Sequence, residues 1–367
     1  MQHNAANPAT LLCAAFLSML AATATAQITV TSPTNGSTWT TVPVQLTANV
    51  SACAGSSNIT LFEYSINSSP FATPSPNNGT STQINSTEYR LSAQPSPGVQ
   101  YTIRFKAWSD AGACAEDDVN ITVTGAATTT VANIDDLPNA DPPNQASTDQ
   151  DVWFYVWDSN TDCCMESDTS SYTVSSPALD GQSRLYYADW MANSQTGTPG
   201  ERYSLNFGDN VANESKTHFI YDTYIYVTDP ENIQNLEMDT NQVWNTNGAY
   251  VIYGLQCAGP PYSVWQFTTY QGWISSSYPC NPQTWAANQW HHVQIAVHTT
   301  GNGNVYYDSV TLDGNTTPFS GMYGNSSRSG PWAQGLLSLN FQLDGINNGE
   351  KETTITAYTD GFTMIYW

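Results

Sequence analysis

The sequence predicts an all-β protein with a smaller N-terminal β-sandwich and a larger C-terminal one. Two observations carry this prediction. Short runs alternate apolar with polar side chains, which is the period of a half-buried strand. The composition is also rich in turn formers, with 24 Gly and 20 Pro in 367 residues. Apart from a short candidate at residues 230–236, no amphipathic helical pattern of useful length occurs.

The charge balance excludes several classes of function. Eight Lys and Arg stand against 31 Asp and Glu, which gives a formal net charge of -23. Nucleic-acid binding and attachment to anionic membranes both need clustered basic side chains, so neither is expected. The chain is nevertheless expected to fold, because 12 Trp, 21 Tyr and 11 Phe supply bulky core material.

The N-terminus predicts export. Residues 11–22 are apolar and small, and Ala24-Thr25-Ala26 fits a cleavage site, so residues 1–26 are interpreted as a signal peptide. That stretch is too short for a membrane anchor, and no later run approaches ~18 consecutive apolar residues. We therefore expect a secreted or cell-surface protein with no membrane insertion.

Six of the seven cysteines follow the predicted signal peptide. An even number in an exported chain predicts disulfides. The expected pairs are Cys53 with Cys114 and Cys257 with Cys280. The remaining two are adjacent, Cys163 and Cys164, and either bond each other or exchange with the other pairs.

The chain divides near residue 130. Residues 27–125 contain short alternating runs that suit a small β-sandwich. Residues 126–147 are rich in Ala, Thr and Pro and are interpreted as a linker. Residues 148–367 are too long for another such module and suit a jelly roll of two packed sheets.

Strands of the larger unit can be placed from the alternation. Two turn sequences, Gly301-Asn302-Gly303-Asn304 and Asp313-Gly314-Asn315, predict hairpins. The predicted strands are residues 219–227, 251–255, 265–270, 290–297, 305–312, 336–343 and 353–367.

Both units resemble known families. Residues 28–33 (ITVTSP) and 106–112 (KAWSDAG) resemble bacterial immunoglobulin-like modules, which commonly act as spacers, so no site is assigned there. Residues 287–295 (ANQWHHVQI), 310–314 (VTLDG) and 357–367 (AYTDGFTMIYW) resemble the laminin-G-like branch of the concanavalin A-like lectin/glucanase superfamily. This resemblance implies a fold more than a function.

Polar rows along three strands predict a binding cleft. On a strand, Glu237, Asp239 and Asn241 project to one face, while Leu236 and Met238 project to the other. Similar alternation occurs in two further segments, and if the three strands are neighbours their polar side chains form one cleft on a concave face. The further cleft residues are Ser338, Asn340, Gln342, Asp344, His292 and Gln294. Candidate aromatic platforms for a sugar ring are Tyr250, Trp265, Tyr270 and Trp273, although core packing is the commoner role of such residues.

The resemblance also suggests a catalytic alternative. Glu237-x-Asp239 is similar to the Glu-x-Asp pattern of jelly-roll glucanases, but Asn241 and Gln242 stand where the family's second Glu is expected. Asp239 could act with Glu237, or Asp344 could supply a general acid. The sequence thus leaves open three functions: binding of extracellular polysaccharide, which we favour, an endo-glycosidase or polysaccharide lyase, and a cell-surface adhesion protein.

No catalytic cofactor is expected. The histidines show no compact cluster, and the predicted mature chain starts at Gln27 rather than at a copper-binding His. The superfamily resemblance implies a structural calcium near the terminal strands, with Asp360 meeting Asp135 or Asp136. A plain turn role for Asp360 is the alternative.

Overall fold

A computed structural model describes residues 27–40, 44–51, 58–67, 81–88, 91, 98–109, 112–124, 128–158, 166–191, 198–244, 249–330, 332–346 and 352–367. The predicted signal peptide, Cys53, Cys163 and Cys164 lie outside these ranges. The described part of the chain is all-β, as predicted. Its helices are four short 3-10 turns, and none of them is long or apolar enough to cross a bilayer.

Within the described ranges, the N-terminal unit contains seven strands. They are β1 (Ile28–Ser32), β2 (Thr38–Trp39), β3 (Val44–Ser51), β4 (Ile59–Ile66), β5 (Ser81–Glu88), β6 (Val99–Ser109) and β7 (Gly112–Val123).

The larger unit contains the remaining strands. They are β8 (Thr129–Val131), β9 (Trp153–Asp158), β10 (Glu166–Val174), β11 (Ser183–Trp190), β12 (Gly200–Asp209), β13 (His218–Val227), β14 (Ile233–Val243), β15 (Ala249–Ala258), β16 (Val264–Thr269), β17 (Gly272–Pro279), β18 (Trp290–Gly301), β19 (Asn304–Leu312), β20 (Asn315–Pro318), β21 (Tyr323–Asn325), β22 (Ser327–Ser329), β23 (Leu336–Gly345) and β24 (Thr353–Tyr366).

Three sheets organise the described strands. A four-stranded sheet has the order β2-β7-β6-β4. An eight-stranded sheet has the order β17-β16-β15-β14-β23-β12-β9, with β22 beside β15. A twelve-stranded sheet, called the long sheet below, has the order β1-β3-β5-β20-β19-β18-β13-β24-β11-β10, with β21 beside β19 and β8 beside β24.

The two units have separate cores. In the N-terminal unit, alternate residues of β3 (Val44, Leu46 and Ala48) pack with Phe62 and Phe105 of the four-stranded sheet. The long sheet continues from this unit into the larger one through a single parallel pair between β5 and β20. Tyr224 and Trp290 of the larger unit pack against the N-terminal core.

In the larger unit, the long sheet packs face to face with the eight-stranded sheet. The ring centroids of Tyr186 and Phe341 lie 4.6 Å apart, and those of Phe219 and Tyr253 lie 4.8 Å apart. Both pairs join strands of different sheets. Burial of each such aromatic side chain stabilises the sandwich by about 1.5–3 kcal/mol, so the apolar half of each alternating strand defines the inner faces.

Residues predicted to form a linker take part in the larger sandwich. β8 pairs with β24, and Ile134 is fully buried in the core of the larger unit. The buried Arg184 donates to the carbonyl oxygens of Asp135 and Leu137 and to Asn139 Oδ1. Burial lowers the pKa of Arg184 to about 10, partly offset by neighbouring Tyr186 and Asp135. This segment is therefore fixed to β11 rather than running free between units.

The predicted strands and turns of the larger unit are confirmed. Each of the seven predicted segments overlaps a strand, from β13 to β24. Asn302 and Gly303 both have positive φ, as do Asp313 and Gly314, which is the backbone that tight hairpins require. The candidate helix at 230–236 is instead one 3-10 turn, Pro230–Asn232, followed by β14.

The start of β18 is fastened to the β19–β20 hairpin by His291. Its Nδ1 lies 2.8 Å from Asp313 Oδ2, and Asp313 Oδ1 accepts the backbone N–H of His292 at 2.9 Å. Burial would lower the pKa of His291. The hydrogen bond and charge of Asp313 outweigh burial, and the pKa is raised overall.

This raised pKa predicts a pH-dependent contribution to stability. The contribution is fully present below about pH 6.5, the unperturbed value, and is lost as the pH rises through the raised pKa. We expect denaturant titration to give a larger stability difference between wild type and His291→Gln near pH 5.5 than near pH 8.5. Asp313→Asn should remove the same pH dependence. An equal difference at both pH values would contradict this role of His291.

Candidate functional site

The two central strands of the eight-stranded sheet place the predicted polar rows side by side. In the β14–β23 register, Glu237 lies opposite Gln342, Asp239 opposite Asn340, and Asn241 opposite Ser338. Directly opposed side chains lie within about 4.5–5.5 Å of each other at Cβ. These six residues therefore form one polar floor on the face of the sheet that points away from the core.

Two flanking strands extend the floor with residues that were not predicted from the sequence. On β12, Arg202 lies opposite Gln342 and Ser204 opposite Asn340, while Gln256 of β15 lies opposite Glu237. The signal was present in β12, where Arg202, Ser204 and Asn206 alternate with buried aromatic and leucine side chains.

This floor lines a groove of about 730 Å³. Aromatic side chains stand around it: Trp273 and Tyr270 from the β16–β17 hairpin, Tyr250 and Trp332 in T-shaped contact, and Phe154 from β9. Of the predicted platforms, Tyr250, Tyr270 and Trp273 line the groove. Trp265 does not, because it is 3 % exposed and packs in the core between the sheets.

Hydrogen bonds within the floor hold the amides in position. Asp344 accepts from Asn235 Nδ2 at 2.9 Å and from Gln342 Nε2 at 2.8 Å. Ser204 donates to Asn340 Oδ1 at 2.7 Å. A primary amide has two donors and two lone pairs, so each of these amides keeps further capacity for a ligand.

The groove carries charges of both signs. Glu237, Asp239 and Asp344 contribute three carboxylates, and Arg202 and Arg328 contribute two of the eight basic residues of the chain. The groove is therefore far closer to neutrality than the rest of this acidic protein.

Glu237 and Asp239 satisfy only part of what catalysis requires. Same-face neighbours on one strand lie about 6.4–6.8 Å apart along the strand, which exceeds the separation of about 5–5.5 Å used by retaining glycosidases. Asp344, the predicted general acid, lines the same groove but is engaged by two amides.

His292 and Gln294 were wrongly expected in this cleft. They belong to β18 of the long sheet, which packs its inner face on the eight-stranded sheet, so they point away from the groove. Both are buried around Asp222, with His292 Nε2 3.3 Å from its carboxylate oxygens and Gln294 donating to Oδ2. Tyr224 stacks on His292 at 4.7 Å. These polar side chains serve the contact with the N-terminal unit.

The predicted calcium ligands lie close together, with Asp360 on β24 and Asp135 in the 3-10 turn Ile134–Asp136 packed against it. Asp135 Oδ1 accepts the N–H of Phe362 at 2.8 Å, and burial together with the charges of Asp136 and Asp360 raises the pKa of Asp135 to about 7. Burial also raises the pKa of Asp360 to about 6. Two oxygens, Asp136 Oδ1 and Asp360 Oδ1, are buried with no hydrogen-bond partner.

The oxygen atoms around Asp135, Asp136 and Asp360 are of the chemical kind that a hard cation binds, but they do not form a closed metal site. Carboxylate and carbonyl oxygens are what Ca²⁺ prefers. Across the described ranges, however, no three His, Cys, Asp or Glu side chains are grouped to hold a metal ion. The carbonyl oxygens of Asp135 and Leu137 already accept hydrogen bonds from Arg184.

One predicted disulfide is confirmed. Cys257 and Cys280 are bonded and tie β15 to the end of β17. Cys114 is also disulfide-bonded, while the remaining predicted disulfide residues lie outside the described ranges.

Comparison with known proteins leaves the family open. No protein-family model and no curated protein matches this chain. One similar solved structure is reported as the structural basis for the promiscuous specificity of carbohydrate-binding modules from the β-sandwich superfamily. Its sequence identity to this chain is 12% and its TM-score is 0.30. The alignment covers 93% of this chain and 98% of that chain. The CBM2 module of the evolved Dit of Lactobacillus casei BL23 phage J-1 has 11% identity and a TM-score of 0.29, covering 65% and 89%.

A third similar structure is a Streptomyces avermitilis α-L-rhamnosidase complexed with L-rhamnose. It has 9% identity and a TM-score of 0.19, covering 93% of this chain and 40% of that one. TM-scores this low support no inference about function.

The floor of the groove depends on a glycine beside Asp239. A Cβ at Gly254 would lie 2.6 Å from Asp239 Oδ1 and 2.8 Å from Thr268 Cγ2. We expect Gly254→Ala to destabilise the protein by about 1–3 kcal/mol, because both neighbours must move.

Thermal or denaturant unfolding of a double-mutant cycle checks this prediction. The cost of Gly254→Ala should shrink in an Asp239→Ala background, which removes the closer contact. The same cost in both backgrounds would show that Asp239 is not confined by this strand.

Proposed function

We propose that this protein is an exported polysaccharide-binding protein that holds an uncharged glycan chain in the groove of the eight-stranded sheet. The observation that carries the proposal is the combination of an amide-rich floor with aromatic walls in a single open groove. Export rests on the sequence of residues 1–26.

The floor suits sugar hydroxyls. A hydroxyl both donates and accepts hydrogen bonds, and side-chain amides and carboxylates offer the matching groups. Asn340, Gln342 and Asn241 come from two adjacent strands of a rigid sheet, so little conformational entropy is lost when they bind. Ser204 donates to Asn340, Asn241 donates to Ser338, and Gln342 donates to Asp344, so these amides are oriented before a ligand arrives.

The walls suit sugar rings. Trp273 and Tyr270 are 37 % and 61 % exposed on the hairpin beside the floor, where aromatic faces can pack against the C–H face of a pyranose. Strongly anionic glycans are disfavoured as ligands, because the chain carries a net charge of -23.

Glycan binding is tested with a matched pair of tyrosine variants. Tyr270 in the groove and Tyr262 outside it are 61 % and 58 % exposed, so neither contributes much to the core. We expect Tyr270→Ala to weaken binding to a soluble neutral glycan by about tenfold, or ~1.4 kcal/mol, while Tyr262→Ala has no effect. Calorimetry over a panel of glucans, xylans and mannans measures this. Equal affinities of the two variants would refute the groove as the site.

Hydrolysis is the second candidate function, favoured by the two carboxylates Glu237 and Asp239 on one floor. Reducing-sugar release from the same panel separates it from binding. Release that is lost in Glu237→Gln would establish the enzyme, whereas retention of glycan without release supports binding alone. If the protein neither releases sugar nor binds glycan, the adhesion hypothesis remains.

We also propose a structural calcium bound by Asp360 together with Asp135 or Asp136. The support is the pair of buried, unpartnered oxygens Asp136 Oδ1 and Asp360 Oδ1. We expect calcium to raise Tm relative to chelator, and Asp360→Asn to abolish this difference, because binding to the native state alone is stabilising. The exposed Asp149→Asn is the control. A wild-type Tm that is unchanged by chelator would exclude this site.

A further inference from the structure

A row of four aromatic side chains and one leucine crosses the outer face of the long sheet, opposite to the groove. In register across five neighbouring strands, the residues are Trp290 on β18, Tyr226 on β13, Tyr358 on β24, Leu185 on β11 and Tyr172 on β10. We call these five residues the outer row. Adjacent strands lie about 4.7–4.9 Å apart, so the row is roughly 19 Å long.

The outer row is not part of a core. The sequence neighbours of its members, such as Ile225, Val227 and Ala357, fill the core between the two sheets, so the row itself faces outward. Tyr172 is 50 % exposed, and the other four are partly exposed. Trp290, at one end of the row, packs against the core of the N-terminal unit. The row therefore borders that unit.

Contacts within the row hold the rings in place. The Tyr226 ring lies 5.3 Å from that of Trp290 and 5.6 Å from that of Tyr358, at interplanar angles of 60° and 86°. Tyr226 also donates to Asn288 Oδ1 at 3.3 Å. Burial raises the pKa of Tyr358, and the neighbouring phenols of Tyr226 and Tyr172 raise it further. Rings restrained in this way lose little entropy when a ligand covers them.

We propose that the outer row is a second polysaccharide-binding surface, which takes uncharged glycan chains such as those displayed by insoluble polysaccharides. The row contains no charged side chain, although the protein as a whole carries a net charge of -23. A second copy of this chain would bring that charge against its own, which disfavours self-association. An uncharged glycan avoids this repulsion and presents C–H faces to the aromatic rings.

The two surfaces lie on opposite faces of one sandwich. A protein of this kind holds two glycan chains at once, which links chains and raises retention on a dense polysaccharide by avidity. The outer row does not rest on the groove proposal, because its residues belong to the other sheet.

The test compares full-length variants on two kinds of glycan. Depletion from suspensions of cellulose, chitin, insoluble mannan and insoluble xylan measures binding to insoluble material. Tyr172→Ala is matched by Tyr262→Ala, since these side chains are 50 % and 58 % exposed. We expect Tyr172→Ala to lower the affinity for the insoluble glycan by about fivefold or more, and Tyr262→Ala to leave it unchanged. Unchanged unfolding curves confirm that Tyr172→Ala is folded.

The groove variant separates the two proposals. Tyr270→Ala should weaken soluble-glycan binding and leave binding to insoluble material unchanged, and Tyr172→Ala should do the reverse. The outer-row proposal is overturned if Tyr172→Ala binds insoluble glycans as Tyr262→Ala does, or if wild type binds none of them. It is also overturned if sedimentation shows a dimer that Tyr172→Ala dissociates, since the row would then join two copies.

Discussion

The register between β14 and β23 is the constraint on which the groove depends. A shift of one residue would turn Leu236 and Met238 toward solvent and Glu237 and Asp239 into the core. Burying each of the apolar side chains stabilises the fold by about 1.5–3 kcal/mol, and burying an unpaired carboxylate would cost several kcal/mol. The same free energy that sets the fold therefore also assembles the polar floor.

The walls of the groove are positioned independently of its floor. Trp273 and Tyr270 belong to a hairpin at the edge of the eight-stranded sheet, where Cys257–Cys280 ties β15 to the end of β17. On the same side of the floor, Arg328 donates to the carbonyl of Thr269 and so holds β22 near the end of β16. A rigid floor beside a separately anchored wall suits an extended ligand that lies across several strands.

Alternation in the sequence predicted which side chains share a strand face but not which sheet a strand joins. It correctly separated the polar face of β14 and of β23 from the opposite face, because both strands bury apolar residues there, and the structure places the two strands side by side. It failed for His292 and Gln294 because β18 shows the same alternation, yet its polar face is covered near Tyr224. Sheet order comes from long-range pairing, which local periodicity does not encode.

The aromatic residues were harder to place for a related reason. Trp265 and Trp273 both occur in strand-like segments, but one is buried between the sheets and the other stands at the groove. The outer row could not be predicted from the sequence, because its five members come from five strands that become neighbours only in the folded sheet.

We propose above that the amide floor of β14 and β23 binds sugar. A crystal structure of the protein with a bound neutral oligosaccharide would test this binding. Sugar hydroxyls are expected within hydrogen-bonding distance of Asn340 and Gln342, with a pyranose ring packed on Trp273. An oligosaccharide bound elsewhere, with the groove filled only by water, would contradict it.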